Sequence, residues 1–527
     1  MRTVPEARAE LAAARAAFRA EMTAAGAESV WTRFTGRIGV VLSGGGARGA
    51  YEAGALLAFQ DAALPTHLIT ATSIGGINAA SFVAHSRTRV GNAERLIENW
   101  FGLTPGLLGI EWTRYGWMLV GLIACSAGVG NLIAYLATLI GIEVHLHSPA
   151  AAWIALALGG ASLLLFYPQL PYLHFVIRRW IARDAWELDP ARLRASLVAN
   201  VLVAGFMLVI VFSLHLHTTF RTLLVRSPLV VAGGLVALWL LRLWQHRAGG
   251  AARLSRMWER LLRIPLTPGL FKNFERARYL RAEIPAAPIT ASPIRLVITA
   301  TDIKAGRPRH FTNAAVADLQ RDPGVDQDFV AREVVHAEDL LPAVIAGSAL
   351  PIAFEPLWVD GQLLADGAIV GNQPIRPAIR LGADVLFIVL LTPPRTAAPA
   401  AANTFVDVGI RSLDILIHQN LRVDLQTAQE VNELCESTAR RLGLPAESMT
   451  IALGRRQFRY VRTFTIRPTG PLRAGILDFG NRSTGDMLLQ GYQDATVQIR
   501  EFLAYAPHAR FGGPRKVLGM ALASEME

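Results

Sequence analysis

The sequence predicts an α/β fold with a mostly parallel central sheet flanked by helices, interrupted by a four-helix transmembrane insertion. Three observations lead there. Two short apolar segments, 37–42 and 67–72, each run into a turn of small residues and then a helix-like stretch. Short runs rich in β-branched residues suit buried parallel strands. Between about 115 and 245 the apolar residues gather into long uncharged runs. Finally, 52% of the 527 residues are apolar and only 18% are charged, below the ~25% usual for globular proteins. With a mean hydropathy of +0.33, this excludes a disordered chain or a coiled coil and argues against an ordinary cytosolic globule. Such a length corresponds to about three domains.

The insertion is read from charge. Tyr115–Ile142, Val144–Ile177 and Ser196–Phe220 contain no Asp, Glu, Lys or Arg, and each reaches the ~20 residues that cross a bilayer. A fourth run, Ser227–Leu241, is shorter. It spans only if the bilayer thins or Arg226 and Arg242 snorkel. Buried core helices are the competing account of all four runs. The link 178–194 holds five arginines, the link 141–149 none, and the segment after the fourth run is basic again. The positive-inside rule then places both termini and the 178–194 link in the cytoplasm. Spans are expected near 115–140, 150–175, 197–218 and 227–244, within an insertion covering 111–261. Residues 1–36 are expected to be a helical segment. Its Ala-rich part, 5–26, reads as a solvated helix, or as an amphipathic helix lying on a membrane.

The net charge is +11 and the isoelectric point about 10.2. Such a chain suits an anionic surface, phospholipid or nucleic acid. Cys125 and Cys435, the two cysteines, cannot form a disulfide framework or a four-cysteine metal site.

The first strand leads into Ser43-Gly44-Gly45-Gly46-Ala47-Arg48-Gly49 and a helix from Ala50. Successive glycines let backbone N–H groups converge at a helix N-terminus, where negative charge is stabilised. Gly44, Gly46 and Gly49 also satisfy G-x-G-x-x-G, but the next strand ends in Thr72-Ser73 without the carboxylate that a dinucleotide ribose needs. Arg48 either positions this loop or a lipid phosphate, or is an ordinary surface residue.

The second strand leads into Ser73-Ile74-Gly75-Gly76. A serine on a sharp strand-to-helix turn presents its hydroxyl at the sheet's edge, beside a helix N-terminus. Ala71 stands where G-x-S-x-G has its first glycine, so the match is partial. A simple helix N-cap is the other reading of Ser73. In a doubly wound sheet both loops lie at the carboxyl edge, where sites form. A serine hydroxyl also needs a base, and Asp366, in Asp366-Gly367-Ala368, offers one. As an isolated feature it reads equally as a β-turn carboxylate.

The three motifs in this order, GGGARG, ATSIG and DGA, resemble the patatin-like phospholipase family, in a bacterial-type form with a transmembrane insertion. Val297–Asp302, Gly347–Pro351, Gly382–Asp384, Ile466–Pro468, Asp478-Phe479 and Gly491-Tyr492 are also similar to that family. The resemblance implies a discontinuous catalytic domain over 37–110 and 262–505. It implies a Ser73–Asp366 dyad, Ser73 as nucleophile and Asp366 as general base, working without histidine. Gly44, Gly45 and Gly46 would form the oxyanion hole. It further implies no cofactor and no metal, and an acyl-ester lipid, phospholipid or another, as substrate. The partner is then a membrane and not nucleic acid, with the oligomeric state left open. An inner-membrane protein with a cytoplasmic catalytic domain is expected.

Rival readings use the same residues. A Ser73–Asp366–His418 triad follows an α/β-hydrolase order, although His418 sits in a helix-like stretch. His145, His147, His215 and His217 flank the short links as interfacial polar residues or as metal ligands. Acyl transfer to an alcohol, or a lapsed scaffold suggested by Ala71, would keep the same fold. Transport through the spans is disfavoured, because they carry no carboxylate or lysine.

Overall fold

The computed structural model describes residues 3–104, 273–322, 325–393, 425–453, 456–476 and 483–511, the short segments 269–271, 478–480 and 516–520, and isolated positions between 120 and 205. Apart from those isolated positions, the four expected spans, the four histidines of the links and His418 lie outside the described residues. Among the described residues no helix is long and apolar enough to cross a membrane. The chain divides into two units, Met1–Ile110 with Phe271–Glu527, and Glu111–Leu270. The fold and site below belong to the first.

Its centre is a nine-stranded sheet. The strands are β1 (Ile38–Leu42), β2 (Leu68–Thr72), β3 (Arg295–Asp302), β4 (Arg307–Thr312), β5 (Val334–His336), β6 (Leu357–Val359), β7 (Gln362–Asp366), β8 (Val385–Val389) and β9 (Arg462–Ile466). Their order is β9-β8-β1-β2-β3-β4-β5, with β7 also pairing β3 and β6 pairing β7. From β9 to β3 every neighbouring pair is parallel. β4 and β7 both run antiparallel to β3. Every residue of β1, β2 and β8 is buried, as expected of parallel strands covered on both faces.

Helix α1 is Val4–Ala24, α2 Ala27–Arg33, α3 Ala50–Asp61, α4 Ile74–Ala84 and α5 Glu94–Gly102. Later come α6 (Asn273–Glu283), α7 (Leu341–Gly347), α8 (Ile375–Arg380) and α9 (Thr484–Tyr505). α3 and α9 cross so closely that glycine is required on both. A Cβ at Gly54 would lie 2.0 Å from the Leu488 carbonyl oxygen, and one at Gly491 would lie 1.9 Å from that of Tyr51. Farther along α9, Phe502 stacks on Trp31 at 5.2 Å and meets Phe387 of β8 edge-on at 5.4 Å. The end of α9 is thereby fixed to the sheet.

The solvated helix expected over 5–26 is corrected. α1 buries Ala7, Leu11, Phe18 and Met22. These fall at spacings of four, seven and four, one stripe of a helix. The stripe packs on α9: a Cβ at Gly485 would come within 2.5 Å of the Ala7 Cβ. Alanines hid this stripe, because they read as apolar and as helix-forming alike. On the other flank, Arg15 and Arg19 both reach Asp61 at the end of α3, whose carboxylate is fully enclosed. A Thr3–Glu6 capping box starts the helix. Cys435 is a buried cysteine in a small satellite core with Met449, Ile451 and Tyr460.

Replacing a helical glycine by alanine ordinarily stabilises by about 1 kcal/mol. At Gly491 the added methyl meets a backbone carbonyl that cannot move without parting α3 from α9. Gly491→Ala should therefore destabilise by ~1–3 kcal/mol, the range for overpacking, and lower the thermal unfolding midpoint followed by circular dichroism. An unchanged or raised midpoint would contradict the close crossing.

Candidate active site

The glycine loop leaves β1 at Leu42 and enters α3 through a 3₁₀ turn, Gly46–Gly49. Gly46 has φ of +60°, and a Cβ there would sit 1.9 Å from the Ile476 carbonyl oxygen. That same oxygen accepts the Ala47 N–H at 2.9 Å. Only glycine permits both the turn and this approach. Beneath the loop lies Glu52, fully buried. Its carboxylate accepts the Ser43 N–H at 2.7 Å and the Asn78 side-chain amide at 3.1 Å. Asn78 in turn accepts the Trp100 indole N–H at 3.0 Å. These contacts tie the loop to α3, α4 and α5. Burial pushes the Glu52 carboxyl up to about 8.

Ser73 joins β2 to α4 with φ of 54° and ψ of −128°, a strained conformation for a residue with a side chain. It makes no side-chain capping bond, so the N-cap reading does not describe its hydroxyl. Instead its Oγ donates to Asp366 Oδ2 at 2.6 Å. Register explains the meeting. Thr72 lies opposite Thr299 and Asp366 opposite Ala300, consecutive positions on one edge of β3. β2 and β7 arrive along that edge from opposite directions, and their C-terminal ends abut. Ala71, in the position of the missing glycine, is fully buried in β2; its methyl is accommodated between Leu42 and Ile298, its partners on either side.

Asp366 is held at every polar atom. Its N–H donates to Ala349 O at 3.0 Å, and its carbonyl accepts from Thr301 Oγ1 at 2.9 Å. Its Oδ1 accepts the Ala368 N–H at 2.9 Å. It is thus both the turn carboxylate and the partner of Ser73. Burial raises its carboxyl to about 6, opposed by the bonds from Ser73 and Ala368 and by the charge of Arg276. Arg276 of α6 is itself buried and held by the carbonyls of Ser348 at 2.6 Å and Ile345 at 2.9 Å and by Asn273. Its guanidinium lies 4.2 Å from the centre of the Phe354 ring. Burial lowers it to about 9, so it remains a cation at neutral pH.

Ser73, Asp366, Gly44, Gly45, Gly46 and Arg48 line one cleft, which encloses about 60 Å³ and opens to solvent. The Gly44 N–H donates to Asn372 Oδ1 at 2.9 Å, whereas those of Gly45 and Gly46 meet no acceptor among the described residues. Arg48 donates through Nε to Ala474 O at 3.1 Å, fastening the loop to the C-terminal segment. The other walls are mostly apolar, with Ile77, Leu350, Phe354, Leu391 and Phe479. A smaller apolar chamber of about 40 Å³ shares Ile74 and Ile77 with the cleft. No histidine is among the described residues lining the cleft. Among the described residues no group of three acidic, histidine or cysteine side chains could hold a metal.

Arg276, Asn372 and Glu52 belong to this site and escaped the sequence reading. Asn372 lies six positions after Asp366, in the stretch that follows the DGA motif. Arg276 is one of several basic residues on a polar helix and carries no local signal.

The family model for patatin-like phospholipase matches residues 40–379, more than half of the chain, and the chain belongs to that family. Its class is accordingly that of the lipid acyl hydrolases. A crystal structure of VipD from Legionella pneumophila is 13% identical, with 87% of this chain and 67% of that chain covered and a TM-score of 0.28. That likeness is too slight to bear on the site.

If Asp366 accepts the Ser73 proton, the reaction of Ser73 with a fluorophosphonate needs the carboxylate ionised. Its rate should rise with pH around a midpoint near 6, well above the ordinary aspartate range of about 4. Arg276→Gln removes a cation that favours the ionised form, so that midpoint should move upward. A midpoint near 4, or one that does not move in the variant, would contradict this electrostatic arrangement.

Proposed function

We propose that the chain is a membrane-embedded serine lipid acyl hydrolase of the phospholipase A or lysophospholipase type, acting through a Ser73–Asp366 dyad. The observation that carries this reading is the 2.6 Å hydrogen bond from a strained serine to a buried carboxylate, at the foot of an apolar cleft. Asp366 takes the proton as Ser73 Oγ attacks the ester carbonyl. The charge developing on oxygen is met by the Gly45 and Gly46 amides and by the N-terminus of α4. Gly44 serves this hole by position, since its own amide is committed to Asn372, and Asn372 sets the loop relative to the turn after Asp366. The leaving alcohol departs with the proton, and water then releases the fatty acid from the acyl-enzyme by the same route in reverse. Arg276 keeps a fully buried carboxylate ionisable, which burial alone would oppose. The apolar walls suit an acyl chain.

Membrane embedding is supported by the uncharged runs in 111–261 and by their flanking arginines. Fixing the enzyme in the bilayer would replace diffusion from bulk water by a high local concentration of insoluble substrate.

The test is release of fatty acid from phospholipid vesicles by the purified full chain, with and without added alcohols. Ser73→Ala should abolish both release and fluorophosphonate labelling. Asp366→Asn should lower turnover by a factor on the order of 10⁴, as loss of the residue that orients or deprotonates a serine nucleophile does. Transfer to the alcohol in preference to water would make the chain an acyltransferase. Equal labelling of wild type and Ser73→Ala would remove Ser73 as nucleophile.

A further inference from the structure

Two rigid turns stand beyond the dyad at the carboxyl edge of the sheet, where β3 outruns β2. β3 continues past the register of Thr72 to Asp302 and turns into β4. Asp302 builds this turn, accepting the N–H groups of Lys304 at 3.0 Å and Ala305 at 3.1 Å through Oδ1. Gly306 closes it, donating to Asp302 O at 2.8 Å. Alongside, β6 and β7 form a hairpin whose closing pair is Val359 and Gln362. Its two loop residues, Asp360 and Gly361, have φ of 48° and 74°, the tight turn that matches strand twist. The Ile303 N–H donates to Leu363 O at 3.0 Å and joins the two turns. From Asp366 to Gln362 the strand advances roughly 13 Å, so both tips project past the catalytic residues.

These tips carry side chains that a water-facing turn does not call for. Trp358 is 61% exposed and Ile303 46% exposed. The Lys304 ammonium lies 4.4 Å from the centre of the Trp358 ring, bridging the turns. Exposed Arg307 and half-buried Arg309 follow on β4, against a single exposed acid, Asp360. An indole, an aliphatic side chain and flanking bases make up the chemistry of a membrane interface. The ring and the branched chain leave water, and the cations meet lipid phosphates.

We propose that the paired tips of the β3–β4 and β6–β7 turns are a docking point for an anionic phospholipid bilayer, placing the carboxyl edge of the sheet, and with it the cleft, against the membrane. Trp358 and Ile303 enter the headgroup region, while Lys304, Arg307 and Arg309 bind anionic headgroups. The tight turns hold these residues in place beforehand, so little conformational freedom is lost on contact.

The test uses the full chain reconstituted in phosphatidylcholine vesicles with or without phosphatidylglycerol. Cys125→Ser leaves only the buried Cys435, and Trp358→Cys then takes an environment-sensitive fluorophore. Lipids brominated in the acyl chains should quench this label, more strongly with phosphatidylglycerol present. They should not quench the same label at Val497→Cys, an exposed position on α9. Absence of quenching at 358 overturns the proposal, as does shielding of the label that brominated lipid does not share, which would indicate a protein cover instead. A second readout rests on the hydrolase reading. The Trp358→Ala, Ile303→Ala double variant should lose about tenfold in turnover of bilayer phospholipid, the effect of ~1.4 kcal/mol, while hydrolysis of a soluble short-chain ester stays unchanged. Equal loss on both substrates would overturn the docking role. If wild type hydrolysed neither ester, the hydrolase reading would fall and quenching alone would decide the docking point.

Discussion

Everything in the catalytic half of this molecule serves one unfavourable arrangement, a carboxylate removed from water and kept beside a serine in a strained backbone conformation. Removing an isolated carboxylate from water costs several kcal/mol unless bonds and charges compensate. Here the compensation comes from several elements: the Ala368 amide in the turn, the Ser73 hydroxyl and the charge of Arg276 on α6. The balance leaves Asp366 near 6, and the general-base role proposed for it would draw on that closeness to neutrality.

The same economy shapes the sheet. β3 is longer than its parallel neighbour, and its extra length is paired by β7 from the opposite direction. That one departure from parallel order brings residues 293 positions apart in the chain into contact without a long loop. It also produces the protruding turns, so the pairing that sets the carboxylate beside Ser73 also produces a projecting edge. On the other side of the site, the crossing of α3 and α9 and the network around Glu52 hold the glycine loop still. A preorganised set of amides costs no rearrangement when charge develops on the substrate oxygen.

Much of this was legible in the order of residues, for a definite reason. The glycine loop and the serine turn are constrained by backbone geometry, and such constraints are met by adjacent residues: Gly46 at positive φ, Ser73 between a β-branched run and small residues. Asp366 by itself reads as a turn carboxylate, and only the order of the three motifs, through the family resemblance, singles it out. Arg276, Asn372 and Glu52 act across the fold, and nothing beside them in the chain marks their role. Gly44 shows the limit from the other side. Its motif marks it as an amide donor, whereas its N–H is held by Asn372, a contact between two distant turns. The α1 stripe was obscured for yet another reason, since alanine satisfies both a buried and an exposed helix position.

The most direct measurement is an experimental structure of the protein after reaction with a fluorophosphonate, which mimics the tetrahedral intermediate. The account predicts phosphorus bonded to Ser73 Oγ. It also predicts the phosphonyl oxygen within about 2.7–3.1 Å of the Gly45 and Gly46 nitrogens, with Asp366 still beside the modified serine. An adduct on another residue, or a phosphonyl oxygen turned away from the glycine loop, would contradict it.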